Sequence, residues 1–326
     1  MERSVSDEAI MIDRRHLMGA IGLGAASFPG TALAQRDEAD ASPRARFAGR
    51  SVIVTGATSG IGESVARAFA REGASVAFNG RREALGRQVE ASINDDPATK
   101  RAGGRAFYFR SDVRDGAQVE RFVTAAAERH GGLHIAYNNA GIVFGGGNLK
   151  GNAPLADISA DFFDDVWRTN TRGVFLAMKH EIPLMLRNEP WGRFGLRGVI
   201  VNCASVSGHG GFAGIGSYST SKHGVLGLTR CAALDYGARG IRVNSISPGG
   251  VNTPMRRASI EAQGGDPDQL PAPDIQYRTN TVEEMADVVL YLAEPDAPSS
   301  ILGTDIDVTM GMLTGPLTPP DPRKRR

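Results

Sequence analysis

The sequence predicts an α/β domain: one doubly wound parallel sheet of about seven strands with helices on both faces. Three observations predict it. From Ser51 to Val308, short β-branched runs alternate with segments of helical period. Such alternation implies parallel pairing through right-handed crossovers. A glycine-rich turn follows the first of these runs, where a strand hands over to a helix. Finally, the chain of 326 residues, 41% hydrophobic and 22% charged, has the composition of a globular protein with one large core.

The elements follow in order. Ser51–Thr55 reads as a buried strand from its unbroken apolar character, and Val65, Ala66, Phe69 and Ala70 form one face of the next helix. Ser75–Phe78 and Arg105–Phe109 are the second and third strands. A helix with Val119, Phe122, Val123 and Ala126 on its inner face precedes the fourth strand, Leu133–Tyr137. Asp161–Leu186 reads as one long helical region, in which Phe162, Phe163 and Trp167 have the spacing of core residues. Gly198–Asn202 is the fifth strand, a helix runs from Ser217 to about Ala238, and Ile241–Ile246 and Thr304–Val308 are the sixth and seventh strands. Asn94–Gly104, Asn188–Arg197 and Thr253–Asn280 read as loops from their glycine, proline and polar content. The last follows a strand end and is the natural substrate lid, with Phe144–Asp157 as a second pocket loop. Cys203 and Cys231 have no metal-ligand spacing and read as buried thiols. A formal net charge of +1 gives no reason to expect a nucleic-acid or membrane-surface partner.

The first 48 residues differ in kind. Asp13-Arg14-Arg15-His16 precedes a mildly apolar run from Gly19 to Phe28, and Ala32-Leu33-Ala34 offers a small-x-small cleavage site before Gln35. A charged region, an apolar region and such a site, in that order, make up a secretory signal. The run is too short for a transmembrane helix, and the arginine pair before a weakly apolar core resembles a twin-arginine signal. The expected organisation is a signal over 1–34, a linker over 35–48, the α/β domain over 49–315 and a disordered basic tail over 316–326. Periplasmic delivery follows from the signal, with no membrane insertion once it is removed; without it the chain would stay cytoplasmic.

In Thr55–Gly62, glycines at 56, 60 and 62 let the backbone turn tightly and approach a pyrophosphate, and a helix N-terminus behind them supplies unpaired N–H groups. Thr58, Ser59 and Ile61 complete that turn. At the end of the second strand an acidic residue would accept hydrogen bonds from ribose hydroxyls. Here that position is Gly80, followed by Arg81. A guanidinium makes charge-assisted bonds to a phosphate, so NADP is favoured over NAD.

Tyr218 and Lys222 form Y-x-x-x-K in a helical pattern, which puts phenol and ammonium on one helix face. An unassisted phenol is a poor base at neutral pH, and an adjacent cation favours the phenolate. Ser205 lies thirteen residues upstream of Tyr218, just past the fifth strand, and Asn170 lies in the long helical region. Together with the glycine turn, these four residues resemble the Asn-Ser-Tyr-Lys tetrad of the short-chain dehydrogenase/reductase family, over roughly 260 residues. Asn138-Asn139-Ala140-Gly141 matches that family's N-N-A-G, and Pro248-Gly249-Gly250-Val251-Asn252-Thr253 its P-G-x-x-x-T. The resemblance implies a Rossmann-type fold and a carbonyl–alcohol oxidoreductase acting on a small-molecule substrate as a homodimer or homotetramer. In it Tyr218 is the general acid/base, Ser205 holds the substrate oxygen, Lys222 binds the nicotinamide ribose and Asn170 holds a relay water. Asp112 and Val113 would bound the adenine, and Asn139, Ala140, Gly141, Pro248, Gly249, Val251 and Thr253 would border the cofactor. A non-catalytic dinucleotide sensor on the same fold is the alternative, although it would have no need of serine, tyrosine and lysine together. Two positions depart from the family pattern: Thr281-Val282 where a proline usually opens a helix, and Thr309-Met310-Gly311 in place of Asp-Gly-Gly. His209, after Ser205, reads as a solvated loop residue.

Overall fold

A computed structural model describes residues 45–143, 153–262, 264–269, 276 and 278–314. The signal segment, most of the linker, the basic tail, 144–152 of the pocket loop and 270–275 of the lid lie outside the described residues.

Seven strands, β1 (Ser51–Thr55), β2 (Ser75–Gly80), β3 (Arg105–Arg110), β4 (Ile135–Asn138), β5 (Gly198–Cys203), β6 (Ile241–Pro248) and β7 (Asp305–Val308), pair in the order β3-β2-β1-β4-β5-β6-β7. Every pair is parallel. The connecting helices are α1 (Gly60–Arg71), α2 (Glu83–Asp95), α3 (Pro97–Ala102), α4 (Gly116–His130), α5 (Ala160–Trp167), α6 (Gly173–Met185), α7 (Gly216–Tyr236), α8 (Pro254–Ala262) and α9 (Val282–Ala293). The period-2 alternation of each strand sorts the core into two layers. Val52 and Val54 pack with Val65 and Phe69 of α1 and Val289 of α9, whereas Ile53 faces Phe122 of α4, Leu176 of α6 and Val225 of α7. Both layers are closed to solvent, which is why the strands are continuously apolar. Strand order reverses between β1 and β4, whose last residues Thr55 and Asn138 are in register. The crevice beyond their carboxyl ends is where such sheets bind ligands.

Helix ends are specified locally. Asp115 caps α4 by accepting from the amides of Ala117 and Gln118. At α9 a Thr281–Glu284 capping box does the work of the absent proline. The same helix ends on Arg242 of β6, whose buried guanidinium donates to the carbonyls of Leu292 (2.7 Å), Glu294 (2.9 Å) and Ala297 (2.7 Å). A cation there complements the helix C-terminus.

Five expectations need correction. Asp161–Leu186 is helical as far as Met185 but not α throughout: a π-turn, Arg168–Arg172, separates α5 from α6. Asn94–Gly104 is not a plain loop, since Asp96 accepts from Ala98 N and Pro97 sits at the first turn of α3. The linker does not extend to residue 48, because Phe47 is fully buried and meets Phe69 edge-on at 4.9 Å. Cys203 is buried but Cys231 is exposed. Phe162 and Phe163 are only half-buried, and Trp167 is exposed at 38%, lying against Gly224 of α7. Helical spacing located their face of α5 but not the partial cover over it.

Candidate active site

The turn between β1 and α1 is tied to the end of β4. Gly56 has φ +68°, and a Cβ there would lie 2.7 Å from Ala140 Cα. A Cβ on Gly62 would lie 2.5 Å from Asn139 Nδ2. These contacts exclude side chains and bring two strand ends together. Asn139 Nδ2 donates to the carbonyls of Thr55 and Gly56, both at 3.1 Å, and Thr55 Oγ1 accepts from the amides of Asn139 (3.0 Å) and Ala140 (3.1 Å). No side chain caps α1. Its first amides are thus available to an anion in the cleft that Ser59, Gly60 and Ile61 line. A pyrophosphate fits this uncapped, glycine-cleared cradle.

That cleft, about 460 Å³, runs from Gly56 to Asp112 and Val113. Gly80 closes off the acidic alternative, because a Cβ there would lie 2.5 Å from Thr58 Cγ2. Arg81 is exposed on the cleft wall. Its neighbour Arg82 turns back across the turn and donates from Nη2 to Thr58 Oγ1 (2.9 Å) and Ser59 Oγ (2.7 Å). Arg81 is the expected phosphate partner, and the Arg81-Arg82 doublet was the available signal for Arg82.

A second cleft of about 430 Å³ shares Ile61, Asn139, Gly141 and Thr253 with the first and continues to Ser205, Tyr218 and Lys222. Pro248, Gly249 and Val251 from the end of β6 line it too. Ser205 follows β5, and its Oγ accepts from Ser207 N at 3.2 Å, so its own proton remains available to a ligand. Tyr218 is half-buried in the first turn of α7. Lys222, one turn on and only 4% exposed, donates from Nζ to Cys203 O at 2.7 Å and sits 5.6 Å from the Tyr218 ring centre. Asn170, fully buried in the π-turn, accepts from Ile142 N (2.8 Å) and donates to Ile142 O (2.8 Å) and Ser221 Oγ (3.0 Å). Ser221 Oγ in turn donates to Tyr218 O at 2.7 Å. A Cβ on Gly141 would lie 3.3 Å from Asn170 Oδ1 and 3.6 Å from Lys222 Nζ, so this glycine sits between the two. Ser205, Tyr218 and Lys222 therefore line one cleft, and Asn170, more than fifty positions before Lys222, lies buried behind it, joined to the Tyr218 carbonyl through Ser221.

Comparison with known proteins decides what this arrangement belongs to. A family model described as Enoyl-(Acyl carrier protein) reductase matches residues 56–313. The chain is 34% identical over 281 residues to the 3beta-hydroxysteroid dehydrogenase of Mediterraneibacter gnavus, covering 80% of this chain and 95% of that one. It belongs to the short-chain dehydrogenase/reductase family. This dehydrogenase is also 36% identical over 258 residues to the 2,5-dichloro-2,5-cyclohexadiene-1,4-diol dehydrogenase of Sphingobium indicum, covering 79% of this chain and 94% of that one. Among solved structures, a short chain dehydrogenase from Burkholderia cenocepacia J2315 in complex with NADP has a TM-score of 0.68 and 28% identity, covering 82% of this chain and 100% of that one. The dehydrogenase is thus a nicotinamide-dependent oxidoreductase and not a sensor on the same fold.

One reading of the sequence changes, and one departure from the family pattern gains a contact. His209 is exposed, yet it is not a bystander: Nε2 lies 2.8 Å from Asp305 Oδ2 and 3.2 Å from Ser247 Oγ, pinning the Ser205 turn to β6 and β7. Thr309, in place of the family aspartate, packs its Cα 3.0 Å from where a Gly249 Cβ would be, so the residue that follows β7 presses directly on the P-G segment.

Proposed function

We propose that the dehydrogenase prefers NADP and interconverts a secondary alcohol on an apolar ring skeleton with the matching ketone, using Tyr218 as general acid/base. One observation carries the reading: Ser205, Tyr218 and Lys222 meet in a cleft continuous with the phosphate cradle. The substrate side of that cleft is walled by Val206, Phe212, Ala213, Ile215, Met255 and Met312. Such a wall suits an apolar body with one oriented oxygen, and the two relatives are named for a hydroxysteroid and a cyclohexadienediol.

The amides of Ser59–Gly62 would hold the pyrophosphate, Asp112 and Val113 the adenine, and Lys222 and Thr253 the nicotinamide end. Arg81 and Arg82 would hold the 2′-phosphate. When bound, the nicotinamide supplies or accepts the hydride. Ser205 Oγ donates to the substrate oxygen and fixes it beside the Tyr218 hydroxyl. In reduction Tyr218 gives its proton to the developing alkoxide; in oxidation it takes one. Lys222, anchored on Cys203 O, keeps a positive charge near the phenol and stabilises its anion. Both amide hydrogens of Asn170 are engaged. A relay water is therefore left the second Oδ1 lone pair or the main-chain carbonyl of the π-turn.

A homodimer or homotetramer is supported by exposed apolar side chains on α6 and α7, Phe175 at 47% and Leu234 at 85%. Twin-arginine export with cleavage after Ala34, delivering the domain to the periplasm, rests on the order of charge, apolar run and cleavage site in the first 34 residues. The test of the function is a panel of cyclic and acyclic ketones and alcohols, followed by reduced-cofactor absorbance with NADPH and NADH. Turnover of cyclic substrates with NADPH is the expected result. Turnover confined to acyclic primary alcohols, or a preference for NADH, would contradict it.

A further inference from the structure

Asp112 does not stand alone on the cleft wall. Arg114, two residues on, donates from Nε to both oxygens of its carboxylate at 3.1 Å and from Nη2 to Oδ2 at 2.7 Å, and its amide donates to Oδ1 at 3.0 Å. The other edge of the same guanidinium donates from Nη1 to Asp165 Oδ1 of α5 at 2.5 Å. Burial works against the charge of Asp112, but the Arg114 bonds outweigh it and hold the carboxyl below the usual carboxylate range. Two further contacts fasten the same segment to the catalytic side. Arg172, the last residue of the π-turn, donates from Nη1 to Arg114 O at 2.7 Å. A Cβ on Gly173 would lie 3.1 Å from Val113 Cγ2, so the residue after the π-turn packs tightly on the cleft-lining valine. Thr169, inside the turn, itself lines the cleft and donates to Asp165 O at 2.8 Å. The middle residue of that turn is Asn170.

We propose that Arg114 is a positioning residue that couples the adenine end of the cofactor cleft to the π-turn carrying Asn170. A planar guanidinium can bind two carboxylates at once with fixed geometry, which a lysine ammonium cannot. Filling the adenine end restrains Asp112 and Val113; through Arg114, Arg172 and Gly173 that restraint reaches the turn on either side of Asn170. Binding energy from the non-reacting adenosine half is thereby used to order the residue behind the reacting centre. Because such coupling is reciprocal, order at the turn also tightens adenosine binding.

The proposal rests on the cofactor reading of the cleft, so its test uses adenosine fragments and no substrate. Adenosine 2′,5′-bisphosphate and, in parallel, ADP are bound to saturation, and amide hydrogen exchange is followed over residues 165–173. In the wild type the fragment slows exchange there by about five-fold or more, the low end of ordinary coupling. In Arg114→Gln and Arg114→Lys, at saturation, that protection is lost. Asp165→Ala leaves the Asp112 clamp intact and removes the acceptor that links Arg114 to α5; it binds the fragment more weakly only by the factor of the lost coupling but loses the protection, and it serves should Arg114→Gln fold poorly. Protection that survives in Arg114→Gln or in Asp165→Ala, or that is absent from the wild type at saturation, overturns the coupling. Full protection in Arg114→Lys does so as well, since charge alone would then suffice. Failure of both fragments to bind or to displace the full cofactor would instead overturn the cleft assignment beneath it.

Discussion

In the proposed NADP preference, Arg82 would carry much of the specificity. Its Nη2 sits 2.9 Å from Thr58 Oγ1 and 2.7 Å from Ser59 Oγ, directly over the cradle, while Gly80 leaves no room for a competing carboxylate. A phosphate arriving between Arg81 and Arg82 would replace hydroxyl partners with an anion, and a hydrogen bond to a charged group contributes about 1.5–3 kcal/mol. Arg82→Ala is therefore expected to weaken NADPH binding by about ten-fold or more and NADH binding little; titrating both cofactors into both proteins measures this, and an equal loss for the two would remove Arg82 from the 2′-phosphate site. Position 80 was legible in the sequence because an acid is either present or absent there. Which of two adjacent arginines folds over the turn was not, since both are compatible with a strand end and only the backbone direction after Gly80 separates them.

At the scale of elements, Glu181 of α6 joins the strands that place the site. Its Oε2 accepts from Asn138 Nδ2 at 3.1 Å, and the same nitrogen donates to Asn202 Oδ1 at 3.0 Å, so one helix and the last turns of β4 and β5 share a buried polar centre. Asn139 and Cys203, next in sequence, hold the glycine turn and Lys222. Burial pushes the Glu181 carboxyl up to about 8, against the pull of the Asn138 bond. In the unfolded chain a glutamate titrates near ~4.3. Between those values the folded state binds the extra proton, so this group's contribution is fully present at acid pH and is lost as pH rises through about 8. Glu181→Gln keeps an acceptor and removes the ionisation. The variant's melting temperature relative to wild type should rise from pH 5 to pH 8.5, and a difference independent of pH would contradict the buried-acid account. Strands were legible as short runs rich in β-branched or aromatic residues, and every one was placed to within a few residues. The break between α5 and α6 was not, because α6 is apolar around most of its circumference and hides the phase shift that one inserted residue makes; the hydrogen bonds of Asn170 to Ile142 and Ser221 that the turn serves join residues remote in sequence. Likewise Pro97 signalled a break, when with Asp96 before it the pair starts a helix.

For the whole molecule, the α/β domain and the segment before it make separate claims. A nicotinamide cofactor is made in the cytoplasm, and its site exists only in the folded chain, so twin-arginine export would carry the enzyme out folded and loaded. Bound cofactor stabilises that folded form by an amount set by its concentration relative to its dissociation constant. Fractionation of native-host cells expressing wild type and Arg14→Lys/Arg15→Lys should find the first in the periplasm with Gln35 at its N-terminus and the second retained; a wild-type protein in the cytosol with its first 34 residues intact would contradict export. The four residues proposed as the catalytic tetrad could be picked out because their types are few and their order is fixed, whereas the substrate could not, because the pocket wall is assembled from apolar residues of four separate segments. The proposed mechanism depends most directly on the proton of the Tyr218 hydroxyl. Tyr218→Phe should bind NADPH as the wild type does and lose turnover by about 10²–10⁴-fold, the usual worth of a general acid–base step; turnover within a few-fold of wild type, at unchanged cofactor affinity, would contradict it.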